Sequence, residues 1–151
     1  MLLADEVNSR GLEVNCERLL RMALLHDWAE TRVGDMPRTA TTYFGGEARR
    51  SAEELAFADI VNDTASEADY KEIFADYEER RSLEARLVKA ADIVDLLVQA
   101  YALERSGARG LDEFWEVSDN ADFQLPQIAN EVVQLMSVER RDAMLDGFHE
   151  L

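Results

Sequence analysis

Polar chemistry is concentrated in one otherwise apolar stretch, Leu24-Leu25-His26-Asp27-Trp28-Ala29-Glu30-Thr31-Arg32-Val33-Gly34-Asp35. On a helix, Met22, His26 and Glu30 share a face at i, i+4 spacing, while Asp27 lies three residues before Glu30 and about 100° around from His26. Such a set can converge on one point. Neutral imidazole with carboxylate is a normal mixed ligand set for a divalent first-row metal, and a carboxylate that stays off the metal can serve as general base or acid for a water. The same residues also fit a plainer arrangement, a core histidine with Asp27 as its hydrogen-bond partner, or charges on a solvated face.

A second acid stands out downstream. Asp92 is flanked one helical turn either side by Val88 and Leu96, an apolar setting in which an unpartnered carboxylate is expensive. A metal would partner it, and so would Lys89 or an arginine from another helix. Asp95, between Ala91 and Gln99, reads as the edge of the site or solvent. Arg32 and Arg38 can bind an anionic substrate or pair with surface carboxylates, and Arg49-Arg50 and Arg80-Arg81 read as helix-end or solvent-facing charges. Trp28 and Trp115 read as core or interface aromatics rather than stacking platforms. There is no Gly-rich phosphate loop, nucleophile elbow or zinc-ribbon cysteine spacing.

The elements that must position these residues are helical. With only two prolines and seven glycines, strand-like alternation is scarce and the expected class is all-α. A first segment, Met1 to about Val7, reads as the end of a helix with no preceding cap, and Asn15 caps a second helix that runs through Glu30 or Thr31 until Gly34 ends it. A loop from about Val33 closes at Gly45-Gly46, before a helix carrying Leu55, Ala56, Ile60 and Val61. Ser66 with Asp69 has the form of a capping box ahead of Tyr70, Phe74 and Tyr77. The longest periodic stripe, Leu83, Leu87, Ala90, Val94, Leu97 and Tyr101, predicts a buried helix that Gly107 and Gly110 end. Phe114 and Trp115 follow in an amphipathic piece. Pro126 then starts a helix with Ile128, Val132, Val133 and Met136, and Ser137 begins a last short one.

The balance of 16 Lys+Arg against 32 Asp+Glu, a net charge of −16, argues against nucleic acid or an anionic membrane as partner. With 151 residues and 47% hydrophobic content, one globular domain over 1–151 is expected. A single cysteine, Cys16, suits a reducing compartment; without a membrane-length run or a secretory signal, a soluble cytoplasmic protein is expected. Of the 16 cations only Lys71 and Lys89 are lysine, a bias that suits concentrated salt or reflects a GC-rich coding sequence.

The stretch His26-Asp27-x-x-Glu30-x-x-x-Gly34-Asp35-Met36-Pro37 resembles the motif of the HD-domain metal-dependent phosphohydrolases, in the branch of small 5′-deoxynucleotidase-like proteins. Phe74-x-x-Tyr77-Glu78, then Leu83-Glu84-Ala85-Arg86-Leu87-Val88-Lys89-Ala90-Ala91-Asp92 and Gln99-Ala100-Tyr101, follow that family's order and spacing, so the resemblance covers about Leu19 to Phe114. It implies a compact HD-domain helical bundle in which His26, Asp27 and Asp92 bind a divalent transition metal. Mn, Co, Fe, Ni and Zn all suit such ligands. It further implies that Glu30 orients or deprotonates the attacking water or protonates the leaving oxygen, that Asp35 meets the sugar 3′-hydroxyl, and that Arg32 lies near the anionic substrate. The implied reaction is phosphate release from nucleotides, foremost deoxynucleoside 5′-monophosphates, by a homodimer. A signalling nucleotide as substrate, or an HD-fold binding or assembly module without catalysis, are the alternatives. The family's further metal-binding histidine would fall before Met1, and His149 is not expected to replace it, so the chain reads as N-terminally shortened. Apolar surface exposed by a missing helix is a second reason to expect dimerisation.

Overall fold

Every regular element among the described residues is an α-helix. The computed structural model describes the backbone of residues 1–119 and 128–149, and the side chains of these except 38, 117–119, 128–129 and 141–149. The helices are α1 (Leu2–Ser9), α2 (Cys16–Leu25), α3 (Glu30–Val33), α4 (Arg38–Phe44), α5 (Gly46–Val61), α6 (Glu67–Glu79), α7 (Leu83–Arg105), α8 (Asp112–Asp119) and α9 (Ile128–His149). They pack as two units, Asn15–Ala85 on the one hand and Met1–Val14 with Arg86–Leu151 on the other.

In the unit 15–85, α2 packs on α6, and α5 packs on α3, α4 and α6. Leu19, Met22 and Leu25 of α2 are buried, as are Phe57 and Val61 of α5 and Ile73, Phe74 and Tyr77 of α6. The Phe57 and Phe74 rings stack with centroids 4.1 Å apart. Polar contacts fix the N-terminal end of α2. The Asn15 side chain accepts the Arg18 N–H at 3.0 Å, and its own N–H donates to Glu84 at 2.7 Å. Buried Asp76 of α6 takes Arg18 Nη2 on one oxygen at 2.6 Å and the Ser82 N–H on the other at 2.9 Å, bracing the turn in which Arg80 is left-handed at φ 53.

The other unit is built on α1, most of α7, α8 and α9. Val7, Leu87, Ile93, Leu97, Trp115 and Val133 are buried in it. Arg140 of α9 bonds Glu104 through two nitrogens at 2.9 and 2.7 Å, reaches Asp112 at 2.7 Å, and lies over the Trp115 ring at 4.7 Å. No helix among the described residues is long and apolar enough to cross a membrane.

Several local expectations are corrected. The segment after Val33 is not a plain loop: Pro37, with φ preset at −54, opens α4, and Gly45 at φ 86 separates it from α5. On α5 the buried face is Glu53, Phe57 and Val61, while Leu55 is 70% exposed. Ser66 makes no side-chain cap; the Asp63 N–H is taken by Glu67 instead. On α7, Ile93 and Ala100 are buried where Val94 and Tyr101 were expected, which rotates the stripe by about one residue, or 100° at those positions. Ser137 lies inside α9, its hydroxyl donating to the Val133 carbonyl at 3.1 Å rather than starting a helix. Pro126 lies outside the described residues.

Candidate active site

The helix that Asn15 caps does not run unbroken to Glu30. α2 ends at Leu25, and from there the chain winds more tightly: Trp28, Glu30, Thr31 and Arg32 donate their N–H groups to Leu25, Asp27, Trp28 and Ala29, each three residues back. Such a 3₁₀-type winding advances about 120° per residue, so residues three apart eclipse. Asp27 and Glu30 therefore come onto one side, whereas Glu30 departs from the face that an unbroken α-helix would share with His26. Gly34, at φ 78, then ends α3 in a conformation that side chains disfavour.

His26 is held from three directions. Nδ1 lies 2.9 Å from the Ala23 carbonyl, which can only accept, so Nδ1 carries the proton. The ring meets Tyr77 of α6 edge-on at 5.1 Å. Nε2 lies 2.9 Å from Asp27 Oδ2. An imidazole nitrogen and a carboxylate oxygen at that distance are held by a shared proton or by a cation. Two donors each about 2.1 Å from one metal ion, on adjacent octahedral positions, lie about 3.0 Å apart, so this pair fits an ion of the first-row class. Among the described residues no three His, Cys, Asp or Glu side chains gather as a metal cage.

Glu30 is half-buried, and its carboxyl is pushed above the ordinary range first by burial, then by the charges of Asp27, Asp35 and Glu53, with Arg49 opposing. A carboxylate so raised is suited to proton transfer nearer neutral pH. Asp35 and Arg32 are exposed, and Arg32 pairs with Asp59 at 3.5 Å. Trp28 is 44% exposed beside the motif, whereas Trp115 is a core residue. The side chain of Arg38 and that of His149 lie outside the described residues. In the other unit, Asp92 accepts from Lys89 Nζ at 2.6 Å and Asp95 from Gln99 at 2.6 Å.

The structure adds carboxylates to which the sequence reading gave no role. Glu53 is buried with its Oε1 taken by Arg49 Nε at 2.7 Å. Glu78 is pushed up by burial and then by the Glu53 charge, against Arg49, Arg50 and Arg80. The signal was present in the spacing Arg49-Glu53-Phe57-Val61, which places the ion pair in line with the core stripe of α5.

A profile of the HD domain family matches residues 1–129. The chain is 31% identical over 121 residues to the 5′-deoxynucleotidase HDDC2 of Danio rerio, covering 79% of this chain and 60% of that protein. It is 33% identical over 102 residues to the protein of that name in Dictyostelium discoideum, covering 66% of this chain and 52% of that one. A solved structure of a conserved hypothetical protein from Pyrococcus furiosus is similar at TM-score 0.74 and 33% identity, over 93% of this chain and 75% of the other. The chain thus spans between half and two thirds of the length of these two curated relatives. With the His26-Asp27 pair set on one tight turn and the match running through most of its length, this chain belongs to the HD domain family.

Proposed function

We propose that the chain is a metal-dependent phosphohydrolase that removes phosphate from nucleotides, with deoxynucleoside 5′-monophosphates as substrates. The observation that carries this reading is the tight turn after α2, which pairs His26 with Asp27 and brings Glu30 to the side of Asp27. Relatives named 5′-deoxynucleotidases support the substrate class.

His26 and Asp27 would hold a divalent transition metal, Mn, Co, Fe, Ni or Zn, with Asp92 of α7 as the further ligand in exchange for Lys89. That ion would supply Lewis acidity and charge neutralisation at the phosphate. Glu30 takes the proton of the attacking water as the water oxygen bonds to phosphorus and the ester P–O bond breaks, and it can return a proton to the departing nucleoside oxygen. Asp35 would accept from the sugar 3′-hydroxyl, and Arg32 would leave Asp59 to meet the anionic substrate. The family match extends through both units, which supports one HD-type domain over 1–151. A cytoplasmic homodimer acting on a small nucleotide rather than on nucleic acid, with an acidic surface suited to concentrated salt, completes the reading.

Phosphate release from deoxynucleoside monophosphates in the presence of Mn²⁺ or Co²⁺, with elemental analysis of the same sample, is the test. Metal-dependent turnover that Asp92→Ala abolishes is the expected result. Bound metal with no turnover on any nucleotide overturns it in favour of a binding or assembly module.

A further inference from the structure

The surroundings of Glu30 present a problem for an anionic substrate. Asp27, Asp35 and Glu53 all act on Glu30 with negative charge, and Glu53 acts likewise on Glu78, in a chain whose net charge is −16. A phosphate dianion approaching this cluster is repelled unless a cation stands in it. Arg32 is turned to Asp59. Arg49 is the cation whose charge reaches Glu30, Glu53 and Glu78 together.

The way Arg49 is held matters more than its charge. Its Nε donates to Glu53 at 2.7 Å, and the Glu53 side chain is only 8% exposed while that of Arg49 is 36% exposed. The buried carboxylate thus grips the inner edge of the guanidinium. Neither terminal nitrogen of Arg49 hydrogen-bonds to any described residue. A guanidinium fixed at Nε with both Nη groups unclaimed is a preorganised fork for two oxygens of one tetrahedral anion. A purely structural ion pair has no need of unclaimed donors in water-accessible space, and burying a carboxylate for stability alone returns little.

We infer that Arg49 binds the phosphate group of the substrate, with the buried Glu53 holding its guanidinium in place. This rests on the phosphohydrolase reading for its substrate class but is tested separately from it, with inorganic phosphate as the probe. Arg49→Lys keeps a cation for Glu53 and loses the fork. The double variant Arg49→Gln/Glu53→Gln leaves no buried carboxylate unpaired, which guards against misfolding. Arg81→Gln, at an exposed arginine paired with Glu79, controls for bulk charge.

Phosphate binding is measured by calorimetry on the metal-loaded chain, with circular dichroism and metal content recorded alongside. The expected result is a phosphate Kd raised about tenfold or more in both Arg49 variants and unchanged in Arg81→Gln, with metal content and fold preserved. Where nucleotides are hydrolysed, KM rises with it. A folded, metal-loaded double variant that binds phosphate as the parent does overturns the assignment, as does a parent chain that binds no phosphate. Phosphate binding that depends on Arg49 in a chain that hydrolyses nothing leaves this assignment standing and defeats the phosphohydrolase reading instead.

Discussion

The edge of the His26 ring rests on Tyr77, with centroids 5.1 Å apart and planes inclined at 65°. Together with the Nδ1–H bond to Ala23, this contact leaves the imidazole one orientation, in which Nε2 is presented to Asp27. Groups that orient a metal-binding histidine change affinity by about 10–100-fold when removed. Tyr77→Leu is therefore expected to weaken Mn²⁺ or Co²⁺ binding by about tenfold, while Tyr77→Phe, which keeps the ring, retains most of it. Isothermal titration with the metal alone distinguishes the two.

Glu30 sits where it can be raised by burial and by three neighbouring acids. Its basic form exists above its pKa, so the rate is expected to climb as pH rises through a value above the usual carboxylate range, and to do so later than for an exposed glutamate. Glu30→Gln should remove that limb of the pH profile and lower kcat about 10²–10⁴-fold while metal content is unchanged. Undiminished turnover would show that another group moves the proton.

Asp76 ties α2 to α6. Burial alone would raise its carboxyl, but hydrogen bonds from Arg18 and Ser82 outweigh that and hold it below the ordinary value. A carboxylate lowered in the folded state contributes stability above its unfolded pKa of about 3.9 and loses it as pH falls through the folded value. Asp76→Ala leaves Arg18 with Glu72 but strips the Ser82 N–H of its acceptor, and is expected to cost about 1–3 kcal/mol at neutral pH and to flatten the acid limb of the stability curve. Urea denaturation at neutral and acidic pH measures both.

The face assignment of α5 gives a paired comparison. Phe57 is buried and stacked on Phe74, so Phe57→Ala leaves a cavity and should cost about 3–5 kcal/mol. Leu55, at 70% exposure, should change stability by less than about 0.5 kcal/mol when replaced by alanine. Equal effects at the two positions would refute the observed register.

Much of this was readable before any coordinates. The Asn15 cap, the glycine stops and the α6 aromatics follow from local chemistry, because each depends on residues within one turn of one another. The His26-Asp27 pair was readable for the same reason. The register of α5 was not. Leu55, Ala56, Ile60 and Val61 make a plausible apolar stripe, but packing against α6 selected the line through Phe57 and drew Glu53 inward with Arg49 as its partner. The winding after Leu25 was equally hidden, since α and 3₁₀ helices accept the same residues and differ by one position in the hydrogen bond. For Asp92 the sequence offered a metal, Lys89 or an arginine from another helix as partner, and Lys89 Nζ lies 2.6 Å away, one turn back on the same helix.

That winding also sets a length. A 3₁₀ segment rises about 2.0 Å per residue against about 1.5 Å in an α-helix, so the four steps from His26 to Glu30 gain up to about 2 Å along the axis. The turn works as a spacer: restoring an unbroken α-helix would keep every side chain and draw His26 and Glu30 that much closer along the axis.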